Sequence, residues 1–322
     1  MKKRTGVLII SLSLVSLLLL PIGDFHGAVA QQYYNIVNTV SRNKDQNAVT
    51  NIYYFDETVW VCTEGGALSY KDGWKKYTTA NGLAHNLVTS MTMDKNGRLW
   101  FGTKEGLTMY DGKWKTYRDK DGLPSNTVFD VIEADDGTIW VGTRNGIGKF
   151  DGKKWVKIGI GDDIASPIIN RIVKDPGGLL WFGTYSMGVG IIDSGRWIVI
   201  DEKDGLLSNL ISSIAFGKEG EVWVGTSMGI VMLKDGKAKE RFTVKNGLLS
   251  NTITSLMIDR EGRLWFGTWG GGVGIYDGEV FRFIGTDDGI VDDRVTSLAI
   301  DGNGDIWIGC WGGISRIVRE LE

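Results

Sequence analysis

Leu99-Trp100-Phe101-Gly102-Thr103 decides how this chain is read, because near copies of it recur along most of the sequence. They are Trp60-Val61-Cys62-Thr63, Trp100-Phe101-Gly102-Thr103, Trp140-Val141-Gly142-Thr143, Trp181-Phe182-Gly183-Thr184, Trp223-Val224-Gly225-Thr226, Trp265-Phe266-Gly267-Thr268 and Trp307-Ile308-Gly309-Cys310. Successive tryptophans are 40, 40, 41, 42, 42 and 42 residues apart. One four-residue match carries little. Seven at a nearly constant period define an architecture of stacked units.

The residues around the second copy give the unit its shape. Asn86 to Met93 alternates apolar and polar residues, the period of a strand. Asp94-Lys95-Asn96-Gly97 is a turn, and Arg98 to Thr103 is a short strand apolar enough for both faces to be buried. Leu107 to Tyr110 is a third strand, Asp111-Gly112 a hairpin signal, and Lys113 to Tyr117 a fourth strand. Four antiparallel strands in one short unit cannot cover both faces of their own sheet. Stacking the copies in a closed ring covers them and leaves only short edges. The expected fold is all-β, a seven-bladed β-propeller, with the recurrent Trp as the apolar plug between neighbouring blades.

Both ends bear on how the ring closes. After Trp307 the chain offers only one more strand, Ile314 to Val318, so the last blade is a strand short. Tyr33 to Val40 precedes the first complete blade, and Tyr34 and Val37 repeat the spacing of Trp74/Tyr77 and Trp114/Tyr117 in outer strands. The N-terminal strand is therefore expected to complete blade seven from outside, leaving no unpaired edge. Cys62 and Cys310 both fall at this seam. In an exported chain they could pair as a disulfide or remain two buried thiols.

Residues 1–30 read as a secretory signal: Lys2, Lys3 and Arg4, an apolar run from Val7 to Ile22, and a small-residue cleavage site at Ala28-Val29-Ala30. The propeller would occupy residues 31–322, in the periplasm or secreted. The apolar run is short for a retained anchor, and no later stretch is apolar for long enough to span a bilayer. Without residues 1–30 the chain has 33 basic and 38 acidic residues, a net charge of −5. That mild acidity gives no reason to expect a nucleic-acid partner. The 46 glycines and 4 prolines suit short strands punctuated by turns.

The unit Gly122-Leu123-Pro124-Ser125-Asn126, Val128, Asp136-Gly137, Trp140-Val141-Gly142-Thr143, Gly146-Ile147 and Asp151-Gly152 resembles the two-component regulator propeller repeat. Gly205-Leu206-Leu207-Ser208-Asn209 and Gly247-Leu248-Leu249-Ser250-Asn251 open related units. The resemblance implies a ligand-binding sensor propeller on the periplasmic side of bacterial hybrid sensor kinases, many of which are thought to sense oligosaccharides. This chain has a single propeller and no kinase or transmembrane helix, so a separate membrane sensor protein is the expected partner. A weaker resemblance is to the streptogramin lyases, whose chemistry uses a histidine, a carboxylate and a metal. Only His85 remains after residue 30.

Strand order places the connections between blades and the loops between second and third strands at one end of the ring. The residues that follow each Trp-x-Gly-Thr copy lie there: Glu64, Lys104, Arg144, Tyr185, Ser227, Trp269 and Trp311. They change from charged in blades one to three to aromatic in blades four, six and seven. Gly270-Gly271-Gly272 and Gly312-Gly313 leave the two indoles lightly covered. Exposed aromatics beside polar groups suit sugar rings or peptide side chains. Trp269, Trp311, Tyr185, Arg144, Lys104, Glu64 and His85 are the candidate ligand-binding residues, for an oligosaccharide, a peptide or a partner protein. The bland alternative is that these tryptophans only cap the blade tops.

Two other readings compete. One is a lyase or hydrolase using Glu64 with His85, and the other is a scaffold in a surface or secretion assembly. His85 takes the place of Ser125, Ser208 and Ser250 in sibling repeats, and Asn86, Asn126, Asn209 and Asn251 are expected to bond the loop backbone. Asp94, Asp135, Asp259 and Asp301 read as turn formers at the opposite end. No zinc or calcium spacing and no phosphate-binding glycine loop occurs, so neither metal nor cofactor is expected.

Overall fold

The computed structural model describes residues 34–40, 48–159 and 168–319. The segment read as an export signal lies outside them. Seven four-stranded antiparallel sheets form, six of them running in sequence order from an inner to an outer strand. Blade 2 shows the pattern: Val88–Met93, Leu99–Thr103, Gly106–Tyr110 and Trp114–Tyr117. Each inner strand lies against those of both neighbouring blades, blade 7 against blade 1 included, so the ring is closed.

Blade 7 takes Val295–Ile300, Ile306–Cys310 and Gly313–Arg319 from the end of the chain. Its outermost strand is Tyr34–Val40, antiparallel to Gly313–Arg319 with Tyr34 opposite Arg319 and Asn38 opposite Ser315. The expected closure by the N-terminal strand is what forms.

Seven apolar clusters fill the seven gaps between blades, and each recurrent Trp points forward into the next blade. Trp100 packs with Val128, Val131 and Ile139 of blade 3. Trp307 packs with Val49, Ile52 and Val61 of blade 1 and so seals the seam. Trp100, Trp265 and Trp307 are fully buried, whereas Trp181 is partly exposed. A buried indole N–H needs an acceptor. An aspartate six residues earlier supplies it in four blades: Asp94, Asp175, Asp259 and Asp301, at 2.8, 3.0, 2.7 and 2.9 Å. Asp135 does not belong to this set. Ala134 takes the equivalent place in blade 3, Trp140 donates to Thr138 Oγ1 instead, and Asp135 pairs with Lys174.

The rest of the Trp-x-Gly-Thr motif also has work in the fold. A Cβ on Gly267 would stand 2.6 Å from Val295 Cγ1 of the next blade, so the glycine lets that inner strand approach. The Thr103 hydroxyl donates to Gly106 O at 2.7 Å and accepts from Glu105 N, tying the loop that follows.

All seven inner strands share a bulge that simple alternation does not reveal. Register shifts after the first residue, as between Val88 and Ser90 or Ile211 and Ser213. The bulged residues are Thr50, Thr89, Phe129, Asn170, Ser212, Thr254 and Thr296. Each is partly exposed between a fully buried first residue and the strand beyond, and so opens onto the central axis.

Candidate functional site

Main-chain bonds fix the loop face. The N–H of Glu64, Lys104, Arg144, Tyr185, Trp269 and Trp311 each donates to the residue just before its own blade's inner strand: Ala48, Leu87, Thr127, Ile168, Thr252 and Arg294. Neighbouring loops are also tied together, for Gly270 N and Gly272 N both donate to Asp293 O of the connection into blade 7. These residues therefore sit on rigid mounts rather than on free loops.

On those mounts the side chains separate as expected. Glu64, Lys104 and Arg144 are exposed on blades 1 to 3 and form no ion pair among the described residues. Tyr185, Trp269 and Trp311 are 54%, 44% and 43% exposed on blades 4, 6 and 7. Trp269 and Trp311 come together, their ring centroids 5.6 Å apart and their planes at 77°. Arg294 lies over the Trp311 ring at 5.9 Å and grips Asp292 through two bonds, Nε to Oδ1 at 2.9 Å and Nη2 to Oδ2 at 2.5 Å. The hydrogen bonds from Arg294 hold the Asp292 carboxyl below its ordinary range, so the pair stays ionised.

Four contributors to this face were not singled out in the sequence. Met228 on blade 5 and Leu249 on the connection into blade 6 are each 53% exposed, so every blade from 4 to 7 presents an apolar side chain on this face. Asp292 and Arg294 stand at its edge. Met228 follows Ser227 by one residue and Leu249 stands where blade 3 has Pro124, so the repeat alignment held the signal.

His85 has a structural task. Its Nδ1 accepts the Leu87 N–H at 2.9 Å. Ser125, Ser208, Ser250 and Asp292 accept the same bond from Thr127, Leu210, Thr252 and Arg294. The asparagines behave as expected, with Asn86 and Asn126 Oδ1 accepting the N–H of Thr79 and Asp119 in the loop, both at 2.8 Å.

The disulfide does not form: Cys62 and Cys310 are free and buried. Cys62 faces blade 2 beside Val88 and Met91, and Cys310 faces back to blade 6 beside Trp265 and Val273. They thus occupy the gaps on either side of the seam. Burial pushes the Cys310 thiol up to about 12 and raises Cys62 too, so neither forms a reactive thiolate. A thiol reagent should modify no cysteine in the native chain and both after denaturation without reductant. A denatured count of zero would restore the disulfide.

Among the described residues no group of three or more His, Cys, Asp or Glu could hold a metal ion, and no helix is long and apolar enough to cross a membrane.

Comparison with known proteins bears on the repeat. Residues 82–105, 122–145, 205–228, 247–270 and 289–312 match the two component regulator propeller model, in blades 2, 3, 5, 6 and 7. Each match runs from the connecting loop through Trp-x-Gly-Thr to the face. No curated protein sequence matches. Among solved structures, the extracellular domain described as part of a hybrid two component system of B. thetaiotaomicron is 21% identical with a TM-score of 0.75, covering 89% of this chain and 42% of its own. One described as part of a one component system of the same organism is 20% identical with a TM-score of 0.72, covering 88% and 40%. The chain therefore spans about two-fifths of the length of those relatives. A streptogramin B lyase is 14% identical with a TM-score of 0.74, covering 90% and 99%. At these identities the likeness is one of fold.

Proposed function

Starting from a closed propeller with five repeats of the two component regulator type, we propose that this chain is an exported sensor-type propeller that recognises an oligosaccharide on the arc from Tyr185 to Trp311. The observation that carries this reading is the exposed edge-to-face pair Trp269 and Trp311 with the ionised Asp292–Arg294 pair at its rim. Apolar ring faces take the C–H faces of a sugar, and a fixed carboxylate and guanidinium take its hydroxyls. Lys104 and Arg144 face the ligand from the opposite side. Export is supported by Lys2 to Arg4 and the apolar run after them. The signal would pass to a separate membrane sensor protein.

A peptide or partner protein is the second reading, and exposed Met228 and Leu249 favour it, because flexible apolar side chains suit peptides better than sugars. A glycan array and a peptide array probed with the chain from residue 31 discriminate the two. In either case the double variant Trp269→Ala, Trp311→Ala should weaken the bound hit by about a hundredfold, since two aromatic contacts of ~1–3 kcal/mol are lost. Its melting temperature should stay near that of the parent. Unchanged affinity removes the site. The enzyme reading rests on Glu64 and His85, and His85→Ser, which restores the sibling turn acceptor, is its direct test.

A further inference from the structure

Inner strands start at the loop face and run away from it, so the bulged residues form a ring just beneath the face. On blades 1, 2 and 7 their polar groups are satisfied, and Phe129 on blade 3 has none. Thr50 and Thr89 donate to Val88 O and Val128 O of the next blade, and Thr296 donates to Gly309 O. On blades 4 to 6 they are not. Asn170 Nδ2 donates to Ile211 O, but its Oδ1 is unpartnered, as are Ser212 Oγ and Thr254 Oγ1, all shielded from solvent. Buried polar atoms without partners are uncommon and call for a guest, water or ligand. These three lie directly under the apolar arc.

Arg171 stands beside them. At the same strand position, Ser213, Ser255 and Ser297 accept the N–H of Leu256, Leu298 and Ile52 in the following blade. Arg171 breaks that pattern and donates Nε to Ser212 O at 2.8 Å. No carboxylate pairs with it among the described residues. Asp130 on blade 3 is near enough to feel its charge, but the oxygens of Asp130 are occupied by the N–H groups of Ile172 and Val131, at 2.8 and 2.9 Å. The terminal N–H groups of a guanidinium, beside the unpartnered Ser212 hydroxyl, fit a carboxylate more closely than they fit water.

We infer that Arg171 and the Ser212 hydroxyl beside it form a subsite for a carboxylate on the ligand, so that the oligosaccharide bound on the arc is an acidic one. This rests on the face reading of the proposed function. A pH dependence follows. Burial, opposed by Arg171, pushes the Asp130 carboxyl up to about 6. The other titratable groups coupled to it, Tyr53 and Cys62, are both raised and stay neutral. As pH falls through about 6, Asp130 takes up a proton and stops competing for the Arg171 charge, so a sugar acid that remains ionised binds more tightly at pH 5 than at pH 7.

The test uses sodium glucuronate and glucose at matched ionic strength, followed by NMR of the Arg171 Nε–H and of the Trp269 and Trp311 indole N–H. Glucuronate should shift the Arg171 signal saturably, more tightly at pH 5, and glucose should not. Arg171→Met should weaken glucuronate about tenfold to a hundredfold, and Ser212→Ala, which leaves the main-chain acceptor of Arg171 in place, by a smaller factor. If the indoles respond to both sugars while Arg171 stays still, the subsite is wrong and the face stands. If Arg171 responds and the indoles do not, the subsite stands and the aromatic platform falls. If neither responds, both are overturned.

Discussion

Trp265→Ala should lower the free energy of unfolding by about 3–5 kcal/mol, as large aromatic-to-alanine changes in cores do. Trp265 is fully buried among the β-branched Val273, Val295 and Ile306, with Met257 packed against the same cluster. Its indole also donates to Asp259 Oδ2 at 2.7 Å, and Arg263 bonds the same oxygen at 2.6 Å while lying over the ring at 5.9 Å. Removing the ring therefore loosens a blade turn as well as an interblade gap. Trp269→Ala, four residues on and 44% exposed, should change stability by less than about 1 kcal/mol. Urea titration of both variants checks this, and equal losses would refute the division between packing and face tryptophans.

Deleting residues 1–40 should be nearly as damaging. The strand Tyr34–Val40 closes the outer edge of blade 7, with Ile36 opposite Ile317 and Asn38 opposite Ser315. Without it the backbone of Gly313–Arg319 has an open edge at the seam. Each backbone hydrogen bond lost removes about 0.5–1.5 kcal/mol, and the bare strand becomes a template for pairing with another chain. The shortened chain should melt several degrees lower and elute partly as oligomers in size-exclusion chromatography. A monomer of unchanged melting temperature would show that the terminal strand is dispensable for closure.

The sequence reading went furthest where a residue's role repeats. Period, blade composition and the closing strand were all legible because seven copies average out local ambiguity. So was the division of the face into a charged and an aromatic half. It failed where the role depends on direction. Cys62 lies two residues after Trp60, and period two puts it on the same side, facing forward to blade 2. Cys310 lies three residues after Trp307 and faces backward to blade 6. The alternation was readable, but that the tryptophans point forward was not, so the sequence left the two thiols open between a disulfide and separate burial. Asp135 was grouped with Asp94 and Asp259 by residue type, and only the indole bonds showed it one place out of step.

From its sequence alone this protein was determined to be a ring of seven antiparallel blades with a buried indole in each gap, because apolar periodicity at a constant repeat admits few other ways of covering the sheets. Tertiary structure decided everything that depends on neighbours in the ring. It set the bulge that turns one residue per blade onto the axis. It left Asn170, Ser212 and Thr254 without partners beneath the apolar arc. It also brought Trp269 and Trp311, 42 residues apart, edge to face. Burial and partner choice are properties of packed surfaces, and those surfaces exist only once the ring has closed.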